Sequence, residues 1–162
     1  MTWILHRVDD RLIHGQVVVA WGGRLHPDRI YVVDDATAAS AWERDLLASA
    51  APDSEVHVLG IADMAAGYAA EAATPGAAFL LVRTLAAADQ LVTAGAPVPR
   101  FQLGGLHYAP GKTRVNEYLY LDDADRAHAR ALLARGVRLE AQDVPAARPL
   151  PLESLDPELA RR

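Results

Sequence analysis

At 162 residues, 51% of them hydrophobic, the chain is long enough for one domain with a well-buried core. A formal net charge of -5 leaves no global positive field to recruit nucleic acid or anionic lipid, and the lack of cysteine excludes disulfides and thiolate metal sites. The N-terminus shows no secretory signal and no apolar run approaches the ~20 residues of a membrane helix, so the expectation is a soluble protein.

Taken in chain order, a strand is predicted over 2–8, where Trp3-Ile4-Leu5 and Val8 are apolar. The loop Asp9–His14 follows, and then a helix over 15–24. Next come a strand at 29–34, a helix at 37–50, a strand at 55–59 and a helix at 61–73. A strand at 78–83, a helix at 85–94 and a strand at 100–103 continue the alternation. A strand near 115–121, a helix at 123–135 and a strand at 137–143 complete it. Several strands are continuous apolar runs, which suits strands covered on both faces. The repeated β-then-α order predicts an α/β fold: an open, mostly parallel β-sheet of about six to seven strands with helices on both faces. Helix punctuation agrees. Asp122 or Asp123 can cap the 123–135 helix, while Gly95 and Gly136 stand at natural helix stops. The domain is expected to span 1–148. Residues 149–162, which follow Pro145 and include Pro149 and Pro151, are expected to form a peripheral tail.

Sites in open α/β sheets form at the carboxyl ends of strands. Asp9–His14, Asp34-Asp35, Val82-Arg83-Thr84 and Gly104-Gly105-Leu106-His107 would share that rim. His14 stands at a strand-to-helix junction, where helix N–H groups attract anions. A neutral imidazole is a nitrogen nucleophile near pH 7, and Arg11 disfavours the imidazolium. The planar donor fork of Arg11 also matches a phosphoryl group. Together they fit covalent phosphohistidine chemistry, which depends on positioning and charge stabilisation. Asp9 and Asp10 either shape a turn or hold Arg11 and the imidazole N–H, and the two roles are compatible. Gly104-Gly105 reads as a tight turn or as a backbone approach to an anion. Lys112 and Arg114 face water or meet a phosphate or an acidic partner. Trp21 and Trp42 read as core or helix-packing residues. No His-Glu-x-x-His pattern, phosphate-cradling Gly-Lys-Ser/Thr loop or dinucleotide fingerprint is present.

The run Arg7-Val8-Asp9-Asp10-Arg11-Leu12-Ile13-His14-Gly15-Gln16-Val17 closely resembles the signature of the IIB components of the mannose/fructose/sorbose family of the bacterial phosphoenolpyruvate-dependent sugar phosphotransferase system (PTS). Ile30–Ala38 resembles the family's second strand and turn, Leu103-Gly104-Gly105-Leu106 its glycine pair, and Gly136–Pro145 its last strand. The resemblance covers roughly residues 3–148. It implies an open, largely parallel α/β sheet and a protein-N(π)-phosphohistidine–sugar phosphotransferase. His14 would accept phosphoryl from the phosphohistidine of a IIA protein, on Nδ1, and donate it to a sugar held by membrane IIC and IID components. Arg11 would stabilise the phosphoryl group. Asp10, Gly15, Gln16, Gly104 and Gly105 would bind phosphate or shape the loop. No metal, nucleotide or other cofactor is implied. The expected location is cytoplasmic, peripherally associated with the transporter.

Gln102 departs from the asparagine expected before the glycine pair. Because the chain begins at the first strand, a separate IIA is expected. A homo-oligomer is compatible with the sequence but not specified by it. Exchange between two histidines calls for an exposed, shallow surface around His14, with an apolar patch at Leu12 and Ile13 inside a charged rim. Two other readings remain. One is a IIB-like phosphorylation sensor that binds a regulatory partner. The other is a small-ligand domain with a deep pocket and an ordinary His14.

Overall fold

The computed structural model describes residues 3–160. Thr2 of the predicted first strand and residues 161–162 of the predicted tail lie outside that range. In chain order the strands are β1 (Trp3–Asp9), β2 (Arg29–Val33), β3 (Glu55–Leu59), β4 (Ala78–Val82), β5 (Arg100–Gly105), β6 (Thr113–Asn116), β7 (Leu119–Leu121), β8 (Arg138–Ala141) and β9 (Leu150–Pro151). Seven of them form one sheet in the order β3-β2-β4-β1-β5-β8-β9, parallel except where β9 runs against β8. β1 therefore lies between β4 and β5, and the loops that leave these three strands meet at one edge. Strand order decides this convergence; composition does not reveal it.

The chain after β1 is π-helical over Gln16–Trp21 and runs into α1 (Gly22–Leu25). The remaining helices are α2 (Asp35–Ala38), α3 (Ala41–Ala50), α4 (Ile61–Ala72), α5 (Leu85–Thr93), α6 (Asp123–Ala134) and α7 (Leu152–Leu155). The helix predicted over 37–50 is two. Asp34 caps α2 by accepting the Thr37 N–H, and Ser40 restarts the chain by accepting the Glu43 N–H at the head of α3. The strand predicted near 115–121 is the β6–β7 hairpin, folded back where Asn116 Oδ1 accepts the Tyr118 N–H at 3.0 Å.

Alternation along β1 divides the core. Leu5 joins Leu12, Ile13, Val17, Trp21 and Phe79 in the layer under α1 and α3. Val8 joins the larger layer with Leu85, Leu91, Leu132 and Leu152 on the other face. The end of the chain corrects the expectation of a peripheral tail. Leu152 is fully buried, Leu159 is nearly so, and Asp156 accepts a hydrogen bond from buried Arg126 Nε at 2.8 Å. Two apolar anchors and one buried ion pair fix this segment, yet it is too short and proline-rich to show a periodic pattern.

His6 points into the larger layer, where Nε2 lies 2.8 Å from the Tyr68 hydroxyl. Burial, with the charge of Arg100, lowers its pKa to about 4 from 6.5. Between those values the unfolded chain binds the proton that the folded chain refuses, so stability is full above pH 6.5 and is lost as pH falls toward 4. The loss is on the order of 3 kcal/mol. Urea unfolding at a series of pH values should show this slope, and His6→Phe should remove it.

Candidate functional site

At the carboxyl end of β1 the carboxylate of Asp9 has no solvent exposure. Arg7, two residues earlier on the same face of the strand, is equally buried and directs Nε and Nη2 at Asp9 Oδ2 from 3.3 and 3.2 Å. Arg11 closes on the other side. Its backbone N–H and Nε donate to Asp9 Oδ1 at 3.1 and 3.0 Å, and Nη2 donates to Oδ2 at 3.0 Å. His14 Nε2 lies 3.0 Å from the same Oδ2. Gln16 Oε1 accepts a further bond from Arg11 Nη2 at 3.0 Å. The loop reaches this geometry through Leu12, which takes a left-handed conformation (φ 56°) while its side chain is buried in the α1 layer. Such a backbone is unfavourable for a residue with a Cβ, and core burial holds it in place.

Burial opposes ionisation of Asp9, but the hydrogen bonds from Arg11 and the charges of Arg7 and His14 outweigh it and hold the carboxyl below its usual range. Burial lowers the His14 pKa, and the nearby charges of Arg11 and Arg7 lower it too, against the pull of Asp9. The ring is therefore neutral near pH 7. An ionised Asp9 can only accept, so neutral His14 gives it Nε2–H and keeps the lone pair on Nδ1.

Of the two carboxylates, Asp9 contacts the imidazole and Asp10 shapes the loop. Asp10 accepts the His107 N–H at 2.7 Å and lies 2.6 Å from His107 Nδ1. The Asp10 N–H bonds the Gly105 carbonyl at 3.0 Å, and Arg83 Nη1 donates to the Asp10 carbonyl at 3.1 Å. Gly15 is exposed at the start of the helical segment. The glycine pair makes room for guanidiniums. A Cβ at Gly104 would fall inside the Arg7 guanidinium, and one at Gly105 would lie 2.8 Å from Arg11 Nη2. Lys112 is tied to Asp125 at 2.6 Å, next to the α6 cap. Leu12 and Ile13 are core residues and do not form a surface patch, whereas Trp42 is 71% exposed and packs into no core. The His14 side chain is 16% exposed, less open than exchange had suggested.

Sequence reasoning missed Arg7 and the role of Gln102. Arg7 Nη1 binds the Gln102 side-chain oxygen and, at 3.1 Å, the Gln142 carbonyl; Nη2 binds the Asp143 carbonyl at 3.0 Å. The signal was present: an arginine inside a buried strand, in phase with Asp9. A cleft of about 420 Å³ is lined by Val18, His26, Asp28, Asp53 and Ser54 among others and includes none of the Asp9 cluster. Among the described residues no three His, Asp or Glu side chains gather as metal ligands.

Fold and cluster together define an open α/β domain with a histidine, a carboxylate and two guanidiniums at the carboxyl edge of its central strand. The family described as "PTS system sorbose subfamily IIB component" matches residues 3–161, and the chain belongs to it. The mannose-specific EIIAB component of Escherichia coli (strain K12) is 35% identical over 141 residues, 86% of this chain and 44% of that protein. The chain thus spans less than half the length of that relative. The sorbose-specific EIIB component of Lacticaseibacillus casei is 33% identical over 86% of both chains. The crystal structure of the IIBSor domain of the Klebsiella pneumoniae sorbose permease superposes with a TM-score of 0.88 at 28% identity, covering 98% of each chain.

Removing one partner of a buried ion pair strands the other charge. Asp9→Asn should cost about 3–5 kcal/mol in urea unfolding at pH 7. It should also lower the His14 pKa further in an NMR titration, because the raising influence is gone while both arginines remain. Gly104→Ala should cost at least about 2 kcal/mol by displacing Arg7.

Proposed function

We propose that this chain is the phosphoryl carrier of a sugar phosphotransferase system, acting as a protein-N(π)-phosphohistidine–sugar phosphotransferase. The observation that carries the reading is the bond from His14 Nε2 to a buried, ionised Asp9, which reserves Nδ1 as the nucleophile. In the first step Nδ1 attacks the phosphorus of a phosphohistidine on a IIA protein. The N–P bond of the donor breaks, its electron pair returns to the donor ring, and a new N–P bond forms on His14. The His14 ring gains positive character as this happens, and Asp9 offsets it from the far side without approaching the phosphoryl group. Arg11, 33% exposed and anchored through Nε and Nη2, directs the rest of its fork at the phosphoryl oxygens. In the second step a hydroxyl of a sugar held by membrane IIC and IID components attacks phosphorus. Its proton goes to the acceptor site or solvent, and His14 is regenerated.

Among the described residues no helix is long and apolar enough to cross a membrane. The carrier role itself, not that absence, implies a position on the cytoplasmic side, against the membrane components that bind the sugar. Its relatives carry mannose, sorbose and N-acetylgalactosamine in their names, so the substrate class is a hexose or hexosamine derivative. Asp10, Gly15, Gln16, Gly104 and Gly105 act by shaping the loop and fixing Arg11.

Incubation with phosphoenolpyruvate, the general carriers and a phosphorylated IIA should add one acid-labile phosphoryl group, read by intact-protein mass. His14→Ala should abolish it; persistent labelling of that variant would overturn the assignment. Arg11→Ala should slow transfer about 100-fold and cost about 2–3 kcal/mol of stability at pH 7, because two charge-assisted bonds to the buried Asp9 carboxylate are lost while Arg7 still holds it.

A further inference from the structure

We infer that Gln102 is a positioning residue for the transfer step: held by Gln142, it fixes the Arg7 guanidinium against Asp9, and through Asp9 it aims His14 Nδ1 at phosphorus. The inference rests on the carrier reading and deepens it, with a residue that hydrogen-bonds neither His14 nor Asp9.

A guanidinium has five N–H donors and no acceptor. Arg7, fully buried, uses all five. Nε–H and one Nη2 hydrogen go to Asp9 Oδ2, and the other Nη2 hydrogen goes to the Asp143 carbonyl. The two Nη1 hydrogens go to the Gln142 carbonyl and to Gln102 Oε1. Two of these acceptors are backbone carbonyls, and Asp9 is the group being held. Among the described residues Gln102 is thus the one further side chain that holds Arg7, and it does so from the edge that Asp9 leaves open. It stands opposite Arg7 in the β1–β5 register and is itself buried.

The orientation of the Gln102 amide is fixed by its neighbours. Arg7 can only donate, so Oε1 faces it, and Nε2 donates to Gln142 Oε1 at 3.2 Å. Gln142 is held in the same way. Its Nε2 donates to the Ala147 carbonyl at 2.8 Å and to the Val144 carbonyl at 3.4 Å, which leaves Oε1 for Gln102. Hydrogen bonds therefore run in one sense from Arg7 through Gln102 and Gln142 to the turn at residues 144–147. From its other edge Arg7 donates to Asp9, where the His14 Nε2–H also ends. Turning either amide over would set like groups face to face.

Loss of the Gln102 amide leaves one Nη1 hydrogen and Gln142 Oε1 without partners in the interior. A guanidinium short of an acceptor shifts toward those that remain, and Asp9 shifts with it. Transfer between two histidines depends on placement of the attacking nitrogen, and a misplacement of about 1 Å costs up to about 100-fold. Gln102 is buried beneath the site, so the loss falls on kcat and not on KM.

The test measures His14 phosphorylation over a range of phospho-IIA concentrations and titrates the His14 ring by NMR in the same proteins. Gln102→Leu should lower kcat at least about tenfold and leave KM within about twofold. It should also raise the His14 pKa, because Arg7, one of the charges that lower it, is loosened while Asp9 remains. Gln142→Leu keeps the Arg7–Gln102 bond but frees the Gln102 amide to turn. It should show both effects to a smaller degree, and it is the variant to read if Gln102→Leu does not fold. The double variant should be no slower than Gln102→Leu alone, because the Gln142 side chain acts through Gln102. Lower stability in urea with kcat and the His14 titration unchanged makes the pair structural and overturns the inference. A rise in KM alone overturns it too, as do multiplicative losses in the double variant. Failure of the carrier reading is separate: the wild type would accept no phosphoryl from phospho-IIA at any concentration, while the NMR titration would still report whether Gln102 governs His14.

Discussion

A carboxylate sealed from water cannot stay ionised alone, and the Asp9 side chain has no exposed surface. It stays charged because Arg7 and Arg11 both donate to it, and its Oδ2, which both guanidiniums reach, also lies 3.0 Å from His14 Nε2. Every other feature of the site follows from satisfying this one group. Arg7 must be buried with it, so Arg7 needs the Gln102 side chain and the carbonyls of Gln142 and Asp143 for its remaining donors. Gly104 and Gly105 lack side chains because the two guanidiniums fill the space a Cβ would take. Trp21 lies over Arg7 at 5.6 Å and donates to the Asp143 carbonyl, which joins the helical segment after His14 to the same network.

The network joins distant parts of the chain to one strand end. β1 contributes Arg7 and Asp9, β5 contributes Gln102 and the glycines, and the segment after β8 contributes two carbonyls. Arg83, after β4, ties down the loop through the Asp10 carbonyl. β1 has β4 and β5 as its neighbours, so these contributions come from adjacent strands with no long excursion. The backbone cost of Leu12 at positive φ is offset by burying its side chain, and the same loop turns Arg11 and His14 back onto Asp9. The His14 imidazole is thus held in place by groups that the core anchors.

Apolar residues occur in two kinds of place. Leu12 and Ile13 are in the motif but act as anchors beneath it. Trp42 and Leu46 are outside the motif, on a helix that buries little, and they give the exposed apolar surface that the motif lacks. Residues close in sequence to His14 are used up in holding its loop against the core.

The sequence by itself determined the class of fold, because β-then-α alternation and continuous apolar runs have a local period that any reader of the chain can see. It also singled out His14 and Arg11, which share a short motif. The tertiary structure decided which carboxylate serves the histidine, why two glycines stand in a strand, and what the last residues do. Asp9 and Asp10 are adjacent and chemically identical; Asp9, the last residue of β1, reaches Arg7, and Asp10, where the turn begins, reaches His107. Gly104 and Gly105 resemble a turn until Arg7 of β1 and Arg11 of the loop after it occupy the space above them. Residues 150–160 carry too few apolar positions to show a period, and their place is fixed by β8 and Arg126, which lie upstream and make contact only after folding.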